Sequence, residues 1–348
     1  MDIEKLNCML DLHLHLDGAI SLKNAKNLAK IQNVGIPESD EEILDLLRVD
    51  DDCRSLNEFL ERFAFPCSLL QTPVGIKTAL ETLCLELSEQ GLMYAEIRFA
   101  PQKSTDNGMS IEDAVAAAIE GIENSPFPAQ LILCAMREES NAEENLETVR
   151  VAKKYLGKGV CAIDLAGAEA LFPVENFAYL FECAKTLGVP FTIHAGEAAG
   201  SQSVKNALDF GACRIGHGVR ATEDKALIKR LAEEQIPLEL CPSSNICTCI
   251  YEDISEYPIR YLLKNGICCT LNTDDMSIEN TTIKREYKLL CKTFDLSRDE
   301  VKALLLNSVK ASFAAAELKR DMTEMISAEF GDIEENTFEK YPENNSGK

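Results

Sequence analysis

The chain has 348 residues, of which 46% are hydrophobic, and its 58 acidic residues against 35 lysines and arginines give a formal net charge of −23. That field, with no Lys/Arg stripe, opposes a nucleic-acid backbone as partner, and no apolar run reaches the ~20 residues that a membrane span needs. Neither a nucleic-acid polymer nor a membrane is therefore expected, while the length suits an α/β barrel of ~250 residues with additions.

The first predicted element is an apolar run over 8–16 that reads as a buried strand and carries DLHLHLDG. At a period of two, His13 and His15 share one face; Gly18 ends the strand and leaves Asp17 at its rim. The other two of the four histidines, His194 and His217, also close apolar, strand-like runs. Imidazoles aimed at one point suit a metal, and the plainer reading is of polar residues hydrogen-bonded at strand ends. A capped helix is expected over 21–31, then a helical excursion over 37–71. Within it Phe59, Phe63 and Phe65 fall on or near one face, as core or as a lid over an apolar ring beside a barrel mouth.

Strand-like runs follow at 92–100, 130–136, 160–165, 190–194, 214–217, 237–240 and 268–272, which with the opening strand make eight. Amphipathic helix-length segments separate them, among them 73–90, 111–124, 142–156, 174–187, 222–235 and 254–264. Eight such units predict a (β/α)8 TIM barrel in preference to an open doubly wound sheet. One or two terminal helices are expected over 298–327, and an acidic, frayed tail over about 330–348. With no repeat and no Gly/Ser linker, 1–348 reads as one domain.

Most of the fourteen cysteines lie in apolar segments, such as Cys134 in LILCAM and Cys161 in VCAIDLAG. They read as free thiols packed as small hydrophobes in a reducing compartment, and the opening MDIEKLN lacks a basic segment followed by an apolar core, so the cytoplasm is the expected location. Cys241, Cys247 and Cys249 have no paired C-x-x-C spacing and no nearby histidine, which argues against a zinc site there.

Polar punctuation falls at the C-terminal ends of the strands, where barrel enzymes carry their chemistry: HLHLD, IRFAP, DLAGAE, IHAGE, GHG, CPSSN and LNTDD. His13, His15, His194 and Asp274 supply three nitrogens and one carboxylate, a set for one zinc ion per chain with a position left for water. Zinc brings such a water to a pKa of about 7, which makes hydrolytic attack on an electrophilic carbon the natural reaction class. Arg98, in EIRFA, reads as structural, paired with an acid near Glu96.

The motifs DLHLHLDG, DLAGAE, IHAGE, GHG, CPSSN and NTDD, in this order, resemble the adenosine deaminase family of the metal-dependent amidohydrolase superfamily over about residues 8–310. The resemblance implies deamination of adenosine and 2′-deoxyadenosine to the 6-oxopurine nucleosides. It implies zinc on His13, His15, His194 and Asp274, Glu197 facing purine N1, His217 the attacking water, Asp275 purine N7, the Gly167 N–H purine N3 and Asp17 the ribose. His15, Phe59 and Phe63 complete the substrate-binding set. Ala168 and Met276 depart from the family's commonest residues at positions that are neither ligands nor catalytic.

Purine N1 and N7 only accept hydrogen bonds, as does an ionised carboxylate, so Glu197 and Asp275 must each hold a proton to bond them. The expected partner is a small purine nucleoside, and the oligomeric state stays open with a monomer slightly favoured. The alternatives are deamination of another 6-aminopurine (adenine or 6-aminodeoxyfutalosine), cyclic-amide hydrolysis, or a catalytically silent purine-binding barrel. A carboxylated lysine of the binuclear kind has no counterpart in DLAGAE, and Cys241-Pro242 followed by serines does not fit the P-C-x-x-C deaminases.

Overall fold

The computed structural model describes residues 1–49, 53 and 55–331. Among them lie eight strands: β1 (Met9–His15), β2 (Leu92–Phe99), β3 (Ala129–Arg137), β4 (Val160–Gly167), β5 (Thr192–Ala195), β6 (Arg214–His217), β7 (Leu238–Leu240) and β8 (Cys269–Leu271). They pair in parallel as β1-β2-β3-β4 and β5-β6-β7-β8. Two seams join the halves. Ile163 bridges Phe191, and β1 is tied to the loop after β8 by His15 N to Asp274 O at 2.9 Å and Asp274 N to His13 O at 2.8 Å. The sheet is thus closed as predicted, and its strands are apolar and buried because helices cover them outside and side chains fill the interior.

The helices are α1 (Leu22–Gln32), α2 (Asp40–Leu47), α3 (Leu56–Leu60), α4 (Ala64–Ser68), α5 (Pro73–Glu89), α6 (Ile111–Glu123), α7 (Ala142–Tyr155) and α8 (Ala178–Leu187), then α9 (Ser201–Asp209), α10 (Lys225–Glu234), α11 (Pro242–Cys247), α12 (Ile259–Lys264), α13 (Ile283–Phe294), α14 (Arg298–Ala311) and α15 (Ala316–Phe330). Side-chain caps set several starts. Ser21, Thr72 and Ser110 each accept from the backbone N–H three residues on, and Ser297 with Glu300 forms a reciprocal capping box.

The excursion over 37–71 is not one long helix. Ser39 and Ser55 each cap a new start, so the segment divides into α2, α3 and α4, with a 3₁₀ turn at Glu61–Phe63 between the last two. Phe59 packs with Leu56, Cys53 and Ile278 in a small apolar cluster beside the barrel mouth, with Phe63 against it. Phe65 departs from that stripe and packs on the main core, which runs from Ile3 to Phe330. The tail expected beyond α15 lies outside the described residues from 332 on. No helix among the described residues is long and apolar enough to cross a membrane.

Candidate active site

All four histidines converge on one point at the C-terminal mouth of the barrel. His13 and His15 come from β1, His194 from β5 and His217 from the end of β6, and Asp274 stands just past β8. His13 Nε2 and His194 Nε2 lie 3.0 Å apart, while Asp274 Oδ1 is 3.1 Å from His13 Nε2 and 3.3 Å from His15 Nε2. A tetrahedral ion with bonds of ~2.0–2.1 Å spaces its ligands roughly 3.3 Å apart, so these gaps are of the right size.

The tautomers follow from what stands behind the rings. His13 Nδ1 is 2.8 Å from Glu239 Oε2, and His194 Nδ1 makes a close ion-pair contact of 2.8 Å with Asp164 Oδ2. Glu239 accepts the His13 Nδ1 proton and the Asp164 charge favours a proton on His194 Nδ1, which leaves the Nε2 lone pairs facing one another. Two opposed lone pairs at 3.0 Å require positive charge between them. Burial disfavours a proton on His13, yet Asp274 and Glu239 outweigh it and raise its pKa; burial and the other imidazoles bring His194 down to about 4 despite Asp164. The four donor atoms of His13, His15, His194 and Asp274 lie within 4.8 Å of one another, a set that fits a metal ion better than a single proton. An overlapping group substitutes His217 and Cys241. Cys241 is the poorer donor, since burial pushes its thiol pKa well up and Sγ donates to Glu239 O at 3.5 Å.

Beneath the cluster lies a buried ionic floor. Arg98 on β2 donates to Asp164 Oδ2 at 2.8 Å and Glu239 Oε2 at 2.9 Å, and so links the carboxylates behind His13 and His194. Its partners are on β4 and β7, not near Glu96 as expected from sequence. Glu96 instead pairs with Arg214 at 2.6 Å, and Arg214 also reaches Glu239 Oε1 at 2.5 Å. Burial opposes ionisation of Asp164 and Glu239, but His194 and Arg98 for the first, and Arg98 and Arg214 for the second, hold both pKa values well below the usual range.

Around the cluster stand the other predicted residues. His217 Nε2 is 3.7 Å from Glu197 Oε2 and 3.6 Å from Asp274 Oδ2. Burial, then Asp274 and Glu169, raise Glu197 well above the usual carboxyl value; burial, Asp274, Asp17 and Glu197 do the same for Asp275. The ion expected among these groups pulls both values the other way. Gly167 closes β4 with φ of +104°, a conformation that suits glycine. Asp17 is half-buried, and its carboxylate accepts from the Cys67 thiol at 3.6 Å.

These side chains share a cavity of about 510 Å³ with Phe59, Phe63, Leu56, Met136, Ala168 and Phe172 among its walls. The Phe59 and Phe63 rings meet edge-on with centroids 6.1 Å apart. The volume is that of a small-molecule site.

Glu169, in DLAGAE, went unnoticed in the sequence. It accepts from the backbone N–H groups of Gly196, Glu197 and Ala199 at 2.8, 3.1 and 2.8 Å, and from Ser203 Oγ at 2.5 Å. It thereby shapes the turn that presents Glu197. Arg137 was also missed; it donates to His194 O at 2.6 Å and Phe172 O at 2.7 Å. The available signal was a charged residue inside or just after an apolar strand, as at Glu96, Arg137, Asp164, Glu169, Arg214 and Glu239.

The family model described as adenosine deaminase matches residues 9–329. The chain is similar to the adenosine deaminase of Haemophilus ducreyi, with 50% identity over 321 residues covering 90% of this chain and 93% of that protein. Among solved structures it is similar to the adenine deaminase of Arthrobacter aurescens, with a TM-score of 0.82, 26% identity and coverage of 92% of this chain and 98% of that one. It is also similar to the Arabidopsis N6-mAMP deaminase, with a TM-score of 0.82, 26% identity and coverage of 94% and 99%.

Proposed function

This chain belongs to the adenosine deaminase family and is an enzyme that deaminates adenosine, and we propose that the reaction runs on one zinc ion held by His13, His15, His194 and Asp274. The observation that carries this reading is the pair of Nε2 atoms of His13 and His194 at 3.0 Å, each ring backed by a carboxylate. Bound there, zinc would bring a water to a pKa of about 7 and supply a nucleophile at neutral pH.

The protein's own groups do the rest. The purine enters with C6 toward the histidines, Glu197 hands its proton to N1 as the water oxygen adds to C6, and negative charge on the ring is quenched as it forms. Asp275, holding a proton, donates to N7; the Gly167 N–H donates to N3; His217 borders the attacking oxygen. The C6–N bond then breaks as one of the water's protons passes to the amino nitrogen, ammonia departs, the other proton restores Glu197, and the 6-oxopurine nucleoside remains with hydrogen on N1.

We further propose that the nucleoside is the preferred substrate and that 2′-deoxyadenosine is also accepted. Asp17 at the mouth suits a sugar hydroxyl, and Phe59 and Phe63 suit apolar cover over sugar and base. Against a phosphorylated substrate, the cavity's Arg137 is committed to two carbonyls and its Lys103 pairs with Glu138. The similarity to an adenine deaminase and an N6-mAMP deaminase marks the competing substrates. We read 1–348 as one catalytic domain with the 37–71 segment beside its mouth. We also place the enzyme in the cytoplasm, in keeping with fourteen free cysteines of which eight are buried.

Ultraviolet-monitored turnover of adenosine, before metal removal, after it and on adding zinc back, tests the reading. Activity should vanish and return with zinc; full activity in protein free of metal would sink the metal assignment.

A further inference from the structure

Asn245 lies in CPSSN, on α11, and no role has yet been given to it. Its side chain is fully buried, and its Nδ2 is 3.2 Å from His217 Nδ1. Tyr257, also buried, places its hydroxyl 3.3 Å from Asn245 Oδ1.

These contacts fix the proton of the His217 ring. A buried phenol needs an acceptor for its hydrogen, and among the described residues the amide oxygen of Asn245 is the hydrogen-bond partner of Tyr257 OH. Turning the amide over would present an NH2 to the phenol and leave its proton unsatisfied. With Oδ1 held by Tyr257, the group facing His217 is the NH2, which only donates, so Nδ1 must offer its lone pair. The far side of the ring agrees independently: Asp274 Oδ2, an acceptor, stands 3.6 Å from Nε2, beside Glu197 Oε2 at 3.7 Å. The contrast with His13 and His194 is direct, since their Nδ1 atoms face carboxylates.

We propose that Asn245, held by Tyr257, is a positioning residue that fixes His217 as the neutral tautomer with its hydrogen on Nε2, so that His217 presents an N–H rather than a lone pair to the attacking water. This rests on the reading of His217 as the residue beside that water and narrows its role. His217 then orients the oxygen by donating to it, and the water's proton ends on the departing amino nitrogen rather than on His217.

Nitrogen-15 NMR of the zinc-loaded enzyme with labelled histidine rings reads the tautomer directly, because the chain has four histidines and His217→Asn identifies the resonances of the one that is not a proposed ligand. His217 should show a protonated, pyrrole-type Nε2 and an unprotonated, pyridine-type Nδ1. Asn245→Asp, whose carboxylate accepts from Nδ1–H, should reverse the pattern and lower kcat at least tenfold with KM and zinc content little changed. Tyr257→Phe, which removes only the hydroxyl, should broaden the tautomer signals and lower kcat less. A pyrrole-type Nδ1 in the wild-type enzyme overturns the proposal, and so does an Asn245→Asp enzyme with unaltered tautomer and turnover. The resting-state spectrum answers without turnover, so failure of the deaminase reading would show separately, as absent adenosine conversion.

Discussion

Asp275 Oδ1 occupies the space in which a side chain on Gly18 would begin, since a Cβ there would lie 1.7 Å from it. The loop after β8 also hangs on Gly18, whose carbonyl accepts from Ser277 N at 2.8 Å. Glycine in the turn after β1 thus lets the carboxyl proposed for N7 lie flat against the backbone. Gly18→Ala must push Asp275 aside, and a displacement near 1 Å costs on the order of 10²-fold in turnover. Steady-state kinetics should show that loss with zinc content unchanged; a variant within threefold of wild type would detach Asp275 from the purine.

Burial, then Asp274 and Glu169, raise the pKa of Glu197 well above the usual carboxyl value. As the proposed acid for N1 it works only while it holds a proton, so kcat/KM should fall as pH rises through its raised pKa. Glu197→Gln can still donate to N1 but has no proton to transfer, and it should lose ~10²–10⁴-fold in turnover. Zinc content and binding of a purine product analogue should survive. A variant with more than a tenth of the wild-type rate would remove Glu197 from the acid role.

One tightly held ion per chain is expected, because three imidazoles and one carboxylate leave a single open position. Asp164→Asn removes the charge behind His194 Nδ1, and a partner of that kind is worth ~10–100-fold in metal affinity. Competition with a chromophoric chelator should show that weakening. Two stoichiometric metals per active chain by elemental analysis would contradict the mononuclear site.

The eight strand ends and their motifs were legible because a buried parallel strand reads as an apolar run and its polar residues gather at one end. The convergence of His13, His15, His194 and Asp274 was legible because the chain has so few histidines. What the chain hid is whatever depends on barrel register: Arg98 meets Asp164 across 66 residues and Glu239 across 141, pairings that no local pattern encodes. The helix α9 was hidden too, since it is short and follows Gly200 without a side-chain cap. The strongly amphipathic α13, capped by Thr282, is by contrast legible from its helical periodicity.

Away from the histidine cluster, Glu286 on α13 accepts from Ser243 N at 3.0 Å and bonds the Ser243 and Thr281 hydroxyls. Burial, partly offset by those bonds, raises its pKa to about 7. A carboxyl raised in the folded state stabilises fully below its unfolded value of ~4.3, and that contribution is lost as pH climbs through about 7. The whole loss is at most ~4 kcal/mol by linkage, and about half of it falls between pH 5.5 and pH 8. Urea midpoints of zinc-loaded wild type and Glu286→Gln at pH 5.5 and pH 8 should therefore differ more in wild type, the variant lacking this part of the decline. Parallel pH profiles would show that Glu286 does not titrate in the folded protein over this range.

In the proposed reading substrate choice turns on Asp17, two residues beyond His15 and half-buried in the cavity wall. Its carboxylate touches the Cys67 thiol and the Gly18 N–H, at 3.6 and 3.2 Å, which orients it and leaves acceptor capacity for a sugar hydroxyl. Adenine can use the histidine floor, Glu197 and Asp275 but not this contact, and it draws only part of the apolar burial that Phe59 and Phe63 offer a nucleoside. AMP brings a phosphate to a mouth whose nearby cations are already paired and whose overall field is negative. Adenosine and 2′-deoxyadenosine should thus be deaminated with far higher kcat/KM than adenine or AMP. Asp17→Ala should narrow the adenosine-to-adenine preference by ~1–3 kcal/mol, the worth of a hydrogen bond to a charged group. Kinetics on the four substrates with both enzymes decide it, because a uniform loss on adenosine and adenine would mean that Asp17 supports the site rather than reads the sugar.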